Sequence, residues 1–371
     1  MNKTIEPNTD SNILTRLASM GWSARFQVHA HGPGTPARVI GVNKDLFHLS
    51  QGGEGWLARI SGGLRHRAAS AEPGALYPVV GDWVLVQDSL ITQVLPRRNA
   101  LSRGAAGGRG KNTAAGTQEQ VMAANLDTVC IVCGLDRDFN PRRIERYLTL
   151  VYNCGLSPAI VLTKADLHAE PEACADEVER LALGVPVHLV AAGEARGIGE
   201  LEHYLAPGKT VTMIGSSGAG KSTLLNRLHG ESVQATGPVS RSLGKGRHTT
   251  TGRDLIRMPQ GGMLIDNPGI REIAFHENDG GVASAFADIE GLALECRFSD
   301  CTHSHELGCR VLEAAANGEL PQKRLESYHK MKRELDYLAQ RQHKSADRVE
   351  KERWKGIAMY AKELKKKKRK G

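Results

Sequence analysis

The sequence predicts a multidomain chain with an N-terminal all-β barrel, a central α/β P-loop domain and a C-terminal zinc-binding and helical domain. Three observations carry this reading. Short strand-like runs, punctuated by Gly and Pro, fill residues 37–96. Strand and helix patterns then alternate from residue 126 to residue 228, around a phosphate-binding loop at residues 215–222. Last, three cysteines and two histidines crowd into residues 296–309, ahead of a long charged helix.

The 371 residues, 40% hydrophobic and 24% charged, leave room for two or three cores. The longest apolar runs, such as 128–134 and 159–162, are far too short to cross a bilayer. The first twelve residues are polar and lack the apolar centre of a signal peptide. The expectation is a cytoplasmic protein with no membrane partner, and a monomer by default. Seven cysteines, an odd number, argue against a disulfide framework. The net charge of +8 comes from residues 321–371, where 18 Lys and Arg face 7 Asp and Glu. That segment ends in Lys365-Lys366-Lys367-Lys368-Arg369-Lys370, a block suited to phosphate backbones; a solvated, frayed tail is the plainer alternative.

Along the chain, residues 1–34 read as a flexible lead and residues 35–105 as the barrel. Its strands are expected at 38–42, 55–60, 82–87 and 91–95, with turns at Gly52-Gly53, Gly62-Gly63 and Pro73-Gly74. An OB-like barrel would bind RNA, and a purely structural barrel has the same spacing. Residues 101–120, rich in Gly and Ala, read as a linker. Residues 106–276 form the α/β domain, with strands at 126–132, 159–162, 185–190 and 210–214 and helices at 142–153 and 171–183. Residues 277–371 form the zinc-binding domain with its basic C-terminal helix.

The string Gly215-Ser216-Ser217-Gly218-Ala219-Gly220-Lys221-Ser222 fits G-x-x-x-x-G-K-S/T, with a strand before it and a helix after it. Its glycines let backbone N–H groups turn inward onto phosphate oxygens, and the helix N-terminus adds a favourable dipole. Lys221 reaches the β and γ phosphates, the Ser222 hydroxyl is placed for Mg²⁺, and Thr223 follows on the same turn. Residues 263–269 are an apolar strand ending Asp266-Asn267-Pro268-Gly269; Asp266 would hold Mg²⁺ through water and the Gly269 N–H would sense a γ-phosphate. Thr163-Lys164-Ala165-Asp166 closes another strand. There Asp166 accepts from guanine N1–H and N2–H₂, a pair of donors that adenine lacks on that edge. The Lys164 stem lies along the base, and Ala191 and Ala192 back it with main-chain N–H groups.

These motifs look like the G1, G3, G4 and G5 boxes of Ras-like GTPases, with G4 and G5 ahead of G1. The domain is therefore circularly permuted, and its ligands are GTP and GDP. Gly81-Asp82-Trp83-Val84, Leu95-Pro96-Arg97-Arg98-Asn99, Ala123-Ala124-Asn125-Leu126-Asp127 and the string from Phe139 to Leu148 narrow the resemblance. Together they resemble the small-subunit ribosome biogenesis GTPases of the YjeQ/YloQ (RsgA) family. The resemblance spans about residues 35–360. It implies an N-terminal OB-fold, a permuted GTPase domain and a C-terminal zinc domain. It also implies action on the 30S subunit and its 16S rRNA late in maturation, with hydrolysis stimulated by the ribosome.

Two departures stand out: the usual G4 Asn is Thr163, which can tie the base loop to the P-loop less fully, and the usual G5 Ser is Ala191. Between G1 and G3, residues 244–251 occupy the switch I position. Thr250 is expected to bind Mg²⁺ and the γ-phosphate, with Thr249 as the alternative. Ile270 stands where Ras-like enzymes that orient water with a Gln carry it, so hydrolysis must draw on another group. His248 is the candidate, the alternative being a loop His that contacts rRNA or solvent.

Cys296, Cys301, His303 and Cys309 offer three thiolates and an imidazole, a closed tetrahedral set for one structural Zn²⁺. His305 could replace His303; the family's zinc spacing favours His303. Cys130 and Cys133 form another C-x-x-C, but inside a strand they face opposite sides and read as core thiols. Rival readings are an ATP-using kinase-like enzyme and an RNA-binding module with a spent nucleotide site.

Overall fold

The computed structural model describes residues 11–70, 76–104, 119–232, 253–266 and 280–343. Contacts group the chain into two compact units, residues 1–102 with 121–273 and residues 103–120 with 274–371.

The first unit opens with α1 (Ser11–Ser19) and α2 (Ala24–Gln27). Leu17, Met20 and Phe26 are buried, and Trp22 packs edge-on against Trp83 with ring centroids 4.8 Å apart. Residues 11–30 are thus packed structure, which corrects the expected flexible lead. Ile13, Leu17 and Met20 stand at i, i+4 and i+7, a helical period that buries one face of this segment.

A five-stranded barrel follows: β1 (Thr35–Asn43), β2 (Leu46–Ser50), β3 (Trp56–Ile60), α3 (Gly62–Ala69), β4 (Trp83–Gln87) and β5 (Leu90–Val94). The strand order is β1-β2-β3-β5-β4, closed by an antiparallel β1–β4 pairing, with β3 and β5 parallel. That is the OB-like arrangement. Alternate residues point inward: Ala37 and Val39 of β1, Phe47 and Leu49 of β2, Val84 and Val86 of β4. Gly62-Gly63, expected as a turn, instead opens α3, where the Ser61 hydroxyl caps the helix by accepting from Leu64 N at 3.2 Å.

Next, β6 (Ala100–Gly104) and β7 (Glu119–Ala124) pair as a separate ribbon. The α/β sheet then runs through β8 (Thr128–Gly134), α4 (Pro141–Asn153), β9 (Pro158–Thr163), α5 (Pro171–Leu181), β10 (Val187–Val190), β11 (Thr210–Ile214), α6 (Lys221–His229), β12 (Arg253–Arg257) and β13 (Met263–Asp266). In space the order is β10-β9-β8-β11-β13-β12, parallel except for the β12–β13 pair. Chain order reverses between β8 and β11, which puts the crevice for a ligand beyond their carboxyl ends. Cys130 lies in the core of this sheet, where burial pushes its thiol up to about 12, and Cys133 is also buried, as expected of core thiols.

Barrel and α/β sheet are continuous. β1 pairs antiparallel with the edge strand β12, Gly41 opposite Asp254 and Val42 opposite Arg253. Arg257 of β12 also donates to Gly52 O at 3.0 Å and to Ser19 Oγ at 3.3 Å. The buried Arg38 donates to Met20 O, to Gly81 O at 3.3 Å and to Asn125 O at 3.4 Å, and its guanidinium lies 5.5 Å from the Trp83 ring centroid. Burial brings its pKa down to about 10, so it remains a cation at neutral pH.

The second unit holds α7 (Gly280–Ala285), α8 (Ala287–Ala293), α9 (Arg310–Ala316) and α10 (Gln322–His343), with no strand in residues 280–343. Phe286 and Tyr328 form its centre, 5.6 Å apart and edge-on. Arg324 spans Asp288 with two bonds of 2.9 and 2.8 Å and covers the Phe286 ring. The basic tail beyond residue 343 lies outside the described residues.

Candidate nucleotide site and metal centre

The phosphate loop leaves β11 at Gly215, whose φ of 149° and tight seat both demand glycine: a Cβ there would meet Val132 O at 2.1 Å. Gly220, at φ 92°, turns the chain into α6, so Lys221, Ser222 and Thr223 form the first turn of that helix. Lys221 Nζ curls over the loop, 2.8 Å from Gly215 O and 2.5 Å from Ser216 O. Ser217, Gly218 and Thr223 are exposed, Ser216 and Ser222 half-buried, and Ala219 fully buried. The register of β13 on β11 pairs Thr212 with Ile265, which sets Asp266 beside the root of the loop.

The Thr163-Lys164-Ala165-Asp166 segment sits two strands away, at the end of β9. Thr163 is buried and its hydroxyl donates to Ala219 O at 2.6 Å. Thr163 therefore ties the loop after β9 to the P-loop through its hydroxyl. Lys164 adopts a left-handed conformation, φ 61°, and its Nζ donates to Gly218 O at 2.7 Å and to Asp136 Oδ2 at 2.6 Å. Asp166 follows in a single 3₁₀ turn (Ala165–Leu167) with its carboxylate exposed. The structure thus bonds the Thr163-Lys164 segment directly to the P-loop.

One expectation fails. The N–H of Ala191 donates to Arg196 O at 3.1 Å and the residue is fully buried, so that amide is not available to a base. Ala192, one residue on and half-buried, keeps its candidacy. His248, Thr249, Thr250, Asn267, Pro268, Gly269 and Ile270 lie outside the described residues.

Sequence reasoning missed two residues here. Asp136 and Asp138 sit in the loop after β8, between the base loop and the P-loop. Burial pushes the Asp136 carboxyl up, but the bonds from Lys164 and from the Asp138 amide outweigh it and hold it below the usual carboxylate range. Asp138 accepts from Ser216 Oγ and from Arg143. The available signal was their place at the carboxyl end of a central strand.

In the second unit, Cys296, Cys301, His303 and Cys309 bring their ligand atoms within 4.8 Å of one another. With Zn–S about 2.3 Å and Zn–N about 2.0–2.1 Å, a tetrahedral ion requires S···S edges of about 3.8 Å and S···N edges of about 3.6 Å. The observed Cys296–Cys309 separation is 3.8 Å, and His303 Nδ1 lies 3.6 and 3.4 Å from those two sulfurs. Burial, with Lys332 and His329 nearby, holds the His303 imidazole below its ordinary pKa, which keeps it the neutral ligand a metal needs. His305 is exposed and outside this cluster, so the alternative ligand drops out. The set fits one structural zinc.

A P-loop bonded to a Thr-Lys-Ala-Asp loop in this strand order, with the second ahead of the first in sequence, is the arrangement of a circularly permuted GTPase. The chain belongs to the RsgA GTPase family, whose model matches residues 94–276. A relative from Opitutus terrae, named small ribosomal subunit biogenesis GTPase RsgA, is 42% identical over 92% of this chain and 95% of its own length. A relative of the same name from Methanosarcina acetivorans is 44% identical over 78% of each chain. Among solved structures, YjeQ from Thermotoga maritima superposes with a TM-score of 0.60 at 29% identity, covering 81% of this chain and 98% of that one. The structure described as YloQ, a circularly permuted GTPase, gives 0.56 at 21% identity over 83% and 97%, and supports the fold. An ABC transporter model also matches residues 198–355, a span that contains the P-loop. The chain is a GTP hydrolase of the RsgA family.

Proposed function

We propose that this GTPase binds the 30S ribosomal subunit through 16S rRNA and hydrolyses GTP there to assist late maturation, with turnover stimulated by the ribosome. It would act in the cytoplasm as a monomer. The relatives' names supply the link to the small subunit. The observation that supports the nucleotide half is the set of bonds joining the Thr163-Lys164 segment to Gly218 and Ala219, with Asp166 exposed two residues further along the chain.

In this reading the loop amides of residues 215–220 and Lys221 bind the phosphates, Asp166 reads guanine, and the Lys164 stem and the Ala192 amide border the base. Ser222 and Thr250 would hold Mg²⁺, with Asp266 behind them; that ion would neutralise charge developing on the phosphates. Thr250 and Gly269 would sense the γ-phosphate, and His248 would hydrogen-bond the attacking water. Replacing His248 with Ala is expected to lower turnover and leave GTP affinity intact; unchanged ribosome-stimulated turnover would refute that role. The barrel and the zinc-bearing helical segment, with its basic tail, would grip rRNA. Because the G3 strand leads directly into the zinc segment, loss of the γ-phosphate at Gly269 would be passed along the chain to that grip. Equal 30S affinity with GDP and with a GTP analogue would contradict this coupling.

The decisive experiment measures GTP turnover with and without purified 30S subunits. A marked rise with 30S supports the proposal. Turnover that is indifferent to 30S would overturn the ribosomal half and leave the GTPase standing.

A further inference from the structure

The loop between β8 and α4 carries two carboxylates that belong to none of the nucleotide motifs. We propose that Asp136 and Asp138 are positioning residues that lock the base-binding and phosphate-binding loops to each other before nucleotide arrives. This rests on the GTPase reading above.

Asp136 acts through Lys164. The lysine stem crosses directly over Gly134: a Cβ there would lie 3.4 and 3.5 Å from Lys164 Cδ and Cε, and 3.1 Å from Asp136 Oδ1. Its ammonium is then caught between Asp136 Oδ2 at 2.6 Å and Gly218 O at 2.7 Å. Two fixed acceptors leave the four-carbon stem little freedom, so the apolar surface that borders a base is already laid out. A lysine without Asp136 keeps one acceptor and regains rotamers that binding must freeze again.

Asp138 acts through Ser216. One oxygen accepts from the Ser216 hydroxyl in the P-loop, the other from Arg143 in the first turn of α4. Asn140 caps that helix by accepting from Arg143 N, so the arginine springs from a fixed backbone. The two aspartates are also joined, the Asp138 N–H donating to Asp136 Oδ1 at 3.0 Å. With Thr163 on Ala219, three side-chain bonds from two different loops reach P-loop residues 216, 218 and 219. As an ion pair on a partly open surface, Asp136–Lys164 adds little to folding stability. Its effect belongs to nucleotide binding, and falls alike on GTP and GDP, because neither carboxylate reaches for the γ-phosphate through these contacts.

The test uses the full chain and fluorescent GDP and GTP analogues, with melting temperature and steady-state GTP turnover measured alongside. Asp136→Ala and Asp138→Ala are each expected to weaken GDP and GTP equally, by about tenfold, so that KM rises while kcat falls far less. Asp136→Asn, which keeps an acceptor for Lys164, should recover most of the affinity. Ser216→Ala, which removes the Asp138 contact from the other side, should match Asp138→Ala. Unchanged affinity in the Ala variants overturns the proposal. So does a loss of affinity that tracks a fall in melting temperature across the Ala, Asn and Ser216 variants alike. Should the wild-type chain fail to bind GDP, the GTPase reading itself has failed.

Discussion

Replacing Thr163 with Val removes the one hydroxyl that ties β9 to the P-loop and little else. Valine keeps the branched shape that β9 accommodates, and the position is buried. What is lost is the 2.6 Å bond to Ala219 O, whose residue is fully buried. Leaving a buried carbonyl unpaired costs about 1–3 kcal/mol. If the P-loop stays in place, that cost lowers the melting temperature by about 2–4 °C for each kcal/mol in a unit of this size. If the loop pulls away from β9 to rehydrate the carbonyl, the same energy appears as weaker nucleotide binding, about tenfold for each 1.4 kcal/mol. Thermal melts with and without GDP, combined with titration of a fluorescent GDP analogue, separate the two routes. Thr163→Ser, which keeps the hydroxyl, is the control and should stay close to wild type. The reasoning is refuted if the Val variant matches the Ser variant in both melting temperature and GDP affinity.

Other perturbations follow from the same contacts. Cys309→Ser, or a strong zinc chelator, should remove one zinc per chain by elemental analysis and loosen the second unit, exposing its amides to hydrogen exchange; the α/β unit should still bind GDP. Acidification should release the same zinc as protons compete for the thiolates, and release that is independent of pH would contradict thiolate ligation. Arg38→Met should cost on the order of 3 kcal/mol, since three carbonyls lose a charged donor while the desolvation of a buried cation is relieved. A melting temperature unchanged in that variant would show that the junction of barrel and sheet does not depend on it.

Much of the fold was legible because its signals are local. β11 runs over the expected residues 210–214, since an apolar strand stops sharply at a glycine that only the P-loop turn needs. The cluster of Cys296, Cys301, His303 and Cys309 was legible because a metal set is defined by residue type and spacing, and the structure had only to choose between His303 and His305. β2 and α3 were not. β2 is five residues with a histidine in it, and α3 opens on two glycines that read as a turn until the Ser61 cap is seen. β12 was missed because its place is set by pairing with β13 on one side and the barrel on the other. The strings around Gly81, Asn99 and Asn125 carried the family resemblance without a visible reason. The structure supplies it: Asn125 Nδ2 donates to Gly81 O at 3.0 Å, and Asn99 brackets Leu126 with two bonds of 2.8 Å, where barrel meets sheet. Asp136 and Asp138 stayed hidden because their partners, Lys164 and Ser216, are distant in sequence.

The central claim is that Asp166 reads guanine in a site shared with the P-loop, and nucleotide competition against a fluorescent GDP analogue tests it most directly. Wild-type protein should be displaced by GTP far more readily than by ATP or xanthosine triphosphate. Xanthine presents a carbonyl where guanine has its amino group, so Asp166→Asn, which supplies a donor there, should reverse the preference toward xanthosine triphosphate. An order of displacement that is the same in the Asn variant as in wild type would contradict the assignment of the base site.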